Sequence, residues 1–337
     1  MKSTAAPKND IGDMMKRKCV SFCIGIGLTV FTSFANAENA RSFVFHYGAE
    51  IQGLKEADSV RVWMPIATST DAQQVTIRDK SLGSNPQWAV DQYGNRTVSF
   101  LAPPNQDTFK FQITYEIRRK EVRSLATTPG GGAQPLDDKA LRPFLRANKM
   151  VPIAGEPLKL LPNLLAKQDP LDQARRIYNQ VDALVKYDKS KPGYGNGDVL
   201  WVCDSRTGNC TDFHSLFISM ARSQAIPARF EIGFPIGKDP EGTVAGYHCW
   251  ASFYHQGRWI PVDISEADKH PEMKQYYFGN LTEDRVQFSI GRDLMLTPRQ
   301  EGPPLNYFVY PYVEVDGKTA PREQIQVQFS YRDLISE

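Results

Sequence analysis

Charge of one sign is missing from this chain. Its 337 residues carry 40 lysines and arginines against 38 aspartates and glutamates, a formal net charge of +2. Residues 1–37 hold five of the bases and two of the acids, so the remainder is close to neutral. No basic field points to nucleic acid or to an anionic membrane surface. Long hydrophobic runs are missing too, with one exception at Cys19–Phe34. Cysteine is scarce: five in all, and beyond residue 37 only Cys203, Cys210 and Cys249. An odd number of thiols does not make a disulfide framework and leaves at least one to be explained otherwise. Whether Cys203 and Cys249 pair stays open. A zinc site from Cys203, Cys210, His214, His248 and Cys249 is disfavoured, because Cys-x6-Cys is not the usual tight ligand pair. No metal site and no cofactor is therefore expected.

What is present begins with the exceptional run. A basic Met15–Lys18 precedes Cys19–Phe34, and Ala35–Ala37 follows as a small-x-small cleavage site. This is the pattern of a signal peptide, residues 1–37. The alternative, a membrane anchor, needs about 20 apolar residues, more than the run supplies. The expectation is a periplasmic or secreted protein with no stable membrane span after cleavage.

The rest predicts an α+β protein. From 38 to 126, short runs rich in Val, Ile, Phe and Thr alternate with turn signals such as Tyr93-Gly94-Asn95, which predicts a β-sandwich domain. His46, within it, reads as a surface or packing residue. Gly- and Pro-rich sequence marks a linker at 127–145. A catalytic domain is placed at 146–300. The segment 301–337 holds two alternating runs around Asp316-Gly317, a predicted β-hairpin completing a sheet. Within the catalytic segment, Asp169 caps a helix with Pro170 at its first position, and Ala174, Ile177, Tyr178, Val181, Leu184 and Val185 form its buried stripe. The Gly-rich Lys189–Asp198 is either a flexible connector or one lip of a cleft.

The chemistry gathers after that loop. Cys210 precedes a helical stripe of Phe213, Leu216, Phe217, Met220 and Ala221. It sits at the first turn, where unsatisfied N–H groups favour a thiolate. Two later strands are joined at Gln256-Gly257. A two-residue turn there sets Trp250 opposite Asp263 and His248 diagonally across, within side-chain reach. Alternation turns Cys249 to the other face. A thiol, an imidazole and a carboxylate in that order form a nucleophile, its base and the orienter of the base. His214, one turn after Cys210, is expected to be structural, and Asp212 to point away from the thiol. Trp201 could wall the cleft or donate to an oxyanion, with core packing as the plainer alternative. Trp250 shares the face of His248 and could shield it. The Cys210 N–H is the better oxyanion donor.

GNCTDFHSLFISMARSQAIPARFEIGF followed by YHCWASFYHQGRWIPVDIS resembles the transglutaminase-like superfamily in its bacterial exported form. The resemblance implies a papain-like fold, with the Cys helix packed on an antiparallel sheet that carries His and Asp. It implies Cys210 as nucleophile, His248 as general base and acid, and Asp263 as the orienting carboxylate. It implies cysteine-dependent peptidase, amidohydrolase or acyl-transfer chemistry on a protein or peptide, cell-wall peptide included. The alternative is a catalytically silent binding or assembly protein of the cell envelope. Neither the acidic calcium-loop spacing nor the added C-terminal barrels of animal transglutaminases are found, so calcium-dependent crosslinking is not implied.

Overall fold

The computed structural model describes residues 39–126, 135–161 and 168–334. The signal-peptide reading of 1–37 and much of the expected linker lie outside the described residues.

Alternation builds the first layer. In the strand Phe109–Lys120, Phe109, Phe111, Ile113, Tyr115, Ile117 and Arg119 are buried, and the residues between them are more exposed. This strand pairs antiparallel with Ala40–Ile51 on one side and Gln73–Ser81 on the other. Ala40–Ile51 pairs in turn with Ile325–Asp333, with Phe43 opposite Asp333 and Ile51 opposite Ile325. Glu241–Thr243 closes that edge as the fifth strand. A second five-stranded sheet runs Lys318–Thr319, Tyr312–Val315, Val60–Ile66, Arg96–Leu101, Ser84–Val90. Phe100 of the second sheet meets Phe109 and Phe111 of the first, with ring centroids 6.3 and 5.3 Å apart. The predicted sandwich is therefore present, but residues 38–126 do not complete it.

That correction extends to the C-terminus. Asp316-Gly317 does turn Tyr312–Val315 into Lys318–Thr319. The next strand, however, does not fold back as the other arm of one hairpin. Pro321 and a short 3-10 turn at Arg322–Gln324 break the run, and Ile325–Asp333 crosses to the first sheet. There Ile325, Phe329 and Tyr331 are buried. Nor does 127–145 separate two contact units: Glu38–Glu337 forms one. An aromatic cluster explains why. Phe45, Tyr47 and Phe329 of the first sheet meet Phe234 and Phe288 of a third, the closest pair being Phe234 and Phe329 at 4.3 Å. Such pairs add to the area they bury, so the sheets share one core.

The third sheet is four-stranded and antiparallel, in the order Arg258–Val262, His248–His255, Ala228–Pro235, Arg285–Ile290. The helices are α1 (Asp138–Leu141), α2 (Pro170–Leu184), α3 (Val199–Ser205), α4 (Cys210–Ser223) and α5 (Ile264–Lys269). In α2 the Asp169 side chain accepts from the Leu171 N–H at 2.8 Å, Pro170 is the first residue, and Ala174, Ile177, Tyr178 and Val181 are buried. α4 differs from its predicted one-sided stripe: every residue from Cys210 to Arg222 is buried. It runs between the third sheet and α2, α3 and α5. A helix closed in on all sides must pair its polar residues internally. Ser215 does so with Arg292, and Ser219 with the Pro152 carbonyl. Arg222 donates to the Ala228 and Arg146 carbonyls at 2.9 and 2.7 Å. Among the described residues no helix is long and apolar enough to cross a membrane.

Candidate active site

The N-terminus of α4 is fixed from both sides. Asn209 caps it, accepting from the Thr211 N–H at 2.8 Å, and Asp212 reaches back to the Asn209 N–H at 2.8 Å. This is a reciprocal capping box. Asp212 also accepts from the N–H groups of Gly195 and Gly197, at 2.7 and 2.9 Å. Its carboxylate is thus turned from the thiol to the loop, and it straps Lys189–Asp198 onto the start of the helix. Gly197 has φ +59, and a Cβ there would stand 2.3 Å from Ser215 Oγ, so only glycine fits. Burial raises the Asp212 pKa, its three N–H donors oppose that, and the Cys210 charge adds a smaller upward push.

His248 and Asp263 meet as the turn arithmetic predicts. Gln256 and Gly257 both have positive φ, 47° and 82°, which suits a two-residue hairpin turn. The ladder runs from His255 opposite Arg258 to Ala251 opposite Val262. One step further Asp263 leaves the strand to cap α5, its Oδ1 accepting from the Glu266 N–H and the Ser265 hydroxyl at 3.2 Å each. Its Oδ2 faces His248 Nε2 at 2.7 Å. That leaves His248 Nδ1 for the Cys210 thiol, and the two groups favour each other's charged form.

The electrostatics follow from this chain of contacts. Burial works against charge on His248, but the Asp263 carboxylate, with the thiol behind it, outweighs burial and raises the imidazole to about 10. Burial also works against the Cys210 thiolate. Hydrogen bonds from Cys249 and His248, with the imidazolium charge, win and hold its pKa well below the ordinary thiol range. Asp263, buried but facing His248 and Arg285, stays far below the usual carboxylate range. These contacts thus favour the charged form of all three groups, thiolate on Cys210, imidazolium on His248 and carboxylate on Asp263.

The remaining expected residues fall as follows. His214 is fully buried and structural: its Nε2 accepts from the Ile264 N–H at 3.0 Å, and it bonds the Cys210 backbone. It thereby ties α4 to the start of α5, and burial keeps it neutral by lowering its pKa. Cys249 does face away from His248, but that side is not inert packing. Its Sγ lies 3.7 Å from Thr211 Oγ1 and 3.9 Å from His214 Nδ1, and it bonds the Cys210 thiol. Burial, then Cys210, pushes its own pKa well up, so it is a donor. Cys203, Cys210 and Cys249 are all free. Trp201 does not line the cleft. Its indole backs the Gly193 turn, where a Cβ would come within 2.7 Å of Nε1. Trp250 is fully buried behind His248, ring centroids 6.3 Å apart, and donates to Glu231 Oε2 at 2.9 Å. His46 lies on the sandwich surface against Thr114. Among the described residues no three His, Cys, Asp or Glu side chains are grouped to hold a metal ion.

Several participants escaped the sequence. Arg285 donates from Nη1 to Asp263 Oδ2 at 3.0 Å and packs over the Trp250 ring at 5.1 Å. Tyr247 hydrogen-bonds Asn209 and Thr211 on either side of Cys210, at 3.1 and 3.0 Å. With Tyr307 and Tyr310 it lines a cavity of about 370 Å³ that opens onto Cys210, with Tyr194, Gly195 and Asn196 of the glycine loop opposite. The Tyr residues carried no motif. Arg285 could have been noticed as a cation entering a strand that otherwise alternates Val, Phe and Ile.

A Cys helix packed on an antiparallel sheet bearing His and Asp defines a papain-like cysteine-enzyme family. Residues 160–264 match the Transglutaminase-like superfamily. A Haemophilus influenzae (strain ATCC 51907 / DSM 11121 / KW20 / Rd) protein described only as uncharacterized is 31% identical over 301 residues, covering 76% of this chain and 80% of that one. The crystal structure of a candidate cysteine protease from Cytophaga hutchinsonii superposes with a TM-score of 0.59 at 18% identity, over 89% of this chain and 92% of that one, and shows the shared fold. The chain belongs to the transglutaminase-like superfamily.

Proposed function

We propose that this protein is an exported cysteine-dependent enzyme acting on amide bonds of proteins or peptides through an acyl-enzyme. The observation that carries this is the buried relay from Cys210 through His248 to Asp263, with its 2.7 Å imidazole–carboxylate contact, at the floor of an open cleft. The Cys210 thiolate attacks the carbonyl carbon. The oxyanion forms at the start of α4, where the Cys210 N–H is one of the donors a helix leaves without an internal partner. The His248 imidazolium gives its Nδ1 proton to the leaving nitrogen as the C–N bond breaks, which leaves a thioester and a neutral ring. A water, or an acceptor amine, then gives a proton to Nδ1 as it attacks the thioester, and the thiolate–imidazolium pair is restored. Throughout, Nε2–H stays on Asp263 Oδ2.

Export rests on the N-terminal residues 15–37, and a periplasmic or secreted location is part of the proposal. The test is a cleavage and amine-incorporation screen over protein, peptide and cell-wall-peptide substrates, with the wild type beside Cys210→Ala. Turnover confined to the wild type is the expected outcome; equal turnover by both proteins ends the proposal.

A further inference from the structure

We infer that Arg285 is a positioning residue of the triad, sharing Asp263 Oδ2 with His248 and thereby setting the pH range over which the Cys210–His248 pair is charged. The inference rests on the roles proposed above for Cys210 and His248. Its basis is geometric. Asp263 Oδ2 takes two hydrogen bonds, from His248 Nε2 at 2.7 Å and from Arg285 Nη1 at 3.0 Å. The Asp263 side chain is wholly buried and that of Arg285 is 4% exposed. The pair lies out of bulk solvent, and a lone carboxylate in that place would be costly. Oδ1 is engaged by α5, so Oδ2 alone must satisfy both cations.

The surroundings leave Arg285 few other partners. Its Nε has no hydrogen-bond partner among the described residues. The Phe109–Lys120 strand brings Arg119, a second buried cation; burial and then the Arg285 charge work against its own charge, with Glu231 opposing more weakly. The segment after α5 brings Tyr276 and Tyr277, both raised and neutral at pH 7. Asp263 is faced by His248, His214 and Arg285, with Tyr178 from α2, Lys269 from α5 and the Cys249 thiol further off. Of these, Arg285 is the one fixed cation bonded to the carboxylate. It holds Oδ2 aimed at Nε2 and takes up part of the carboxylate charge that would otherwise act on the imidazolium and the thiolate.

The sign is fixed by electrostatics. Removing a positive charge beside coupled groups raises all their pKa values. Arg285→Gln keeps a donor and removes the charge. Its Cys210 thiolate midpoint and its His248 alkaline step should both move up, by about one pH unit. Arg285→Lys should bring both most of the way back. The readout needs no substrate: the rate of iodoacetamide alkylation of Cys210 against pH, assigned by mass spectrometry, with ultraviolet thiolate absorbance alongside. A wild type that alkylates like an ordinary thiol overturns the proposed role of Cys210 itself. An activated wild type with an unmoved Arg285→Gln profile overturns the inference about Arg285 alone. Should Arg285→Gln fail to fold, the unmutated protein decides: the Arg285 guanidinium proton resonance must shift at the pH where His248 deprotonates. A resonance that stays put through that step refutes the sharing.

Discussion

Asp263→Asn is the most searching perturbation of the site. The carboxylate and the imidazole touch at 2.7 Å with no solvent on the Asp263 side. Asp263 is the main influence lifting His248 from 6.5 to about 10. At about 1.4 kcal/mol per pH unit, that difference corresponds to something on the order of 5 kcal/mol favouring the imidazolium, with Cys210 supplying part. With the carboxylate gone, burial is unopposed and drives the imidazole below its ordinary range. The Cys210 thiolate then loses its counter-charge. Its alkylation midpoint should climb into the ordinary thiol range, about 8 to 9. Turnover should fall by roughly 10³–10⁴-fold, as in other triads that lose the orienting carboxylate. Stability changes too. The imidazole is more basic folded than unfolded, so its contribution is complete below about pH 6.5 and is lost as pH rises toward about 10. The Cys210 thiolate, whose pKa is depressed on folding, offsets that loss until the unfolded thiol itself ionises at about 8.5, so the wild type should weaken chiefly between about pH 8.5 and about 10 in denaturant titrations, and Asp263→Asn should not. A folded Asp263→Asn protein that still alkylates Cys210 with the wild-type midpoint would refute the relay.

Three further outcomes follow from contacts around the triad. His214→Ala strands the Ile264 N–H and a bond to the Cys210 backbone, so it should cost about 1–3 kcal/mol per group in urea unfolding. Asp212→Asn sets an amide where two oxygens now serve three N–H donors. It should speed hydrogen exchange at Gly195 and Gly197 and lower stability by about 2–3 kcal/mol. Gly197→Ala forces a side chain into a left-handed position 2.3 Å from Ser215 Oγ, and should lower the melting temperature by more than an ordinary surface substitution.

What the sequence disclosed and what it hid divide by distance along the chain. His248 and Asp263 are 15 residues apart across a two-residue turn, and period-two geometry alone put them together. The start of α4 near Cys210 was similarly local, and so was the stripe of α2. Arg285 reaches Asp263 from 22 residues away, through a strand whose place in the sheet no turn dictates. Arg119 sat in plain view in an alternating run, on the same side as Phe111 and Tyr115, yet only packing reveals what an inward arginine faces. Trp201 was left between cleft wall and core packing for a related reason: the Gly193 turn decides where an indole on α3 can go. Whether the terminal strand completes a sheet beside the catalytic core or on the N-terminal sandwich could not be read, because pairing between Ala40–Ile51 and Ile325–Asp333 leaves no local trace in either segment.

That pairing imposes an order on assembly. During synthesis the Ala40–Ile51 segment emerges early, and one side of it stays without a neighbour until Ile325–Asp333 has also appeared. A chain halted near residue 300 already contains Cys210, His248, Asp263 and Arg285, yet presents an open strand edge and half a core. The contact of the His248-bearing sheet with the sandwich through Phe234 and Phe329 is thus made only once residues 325–333 have been synthesised.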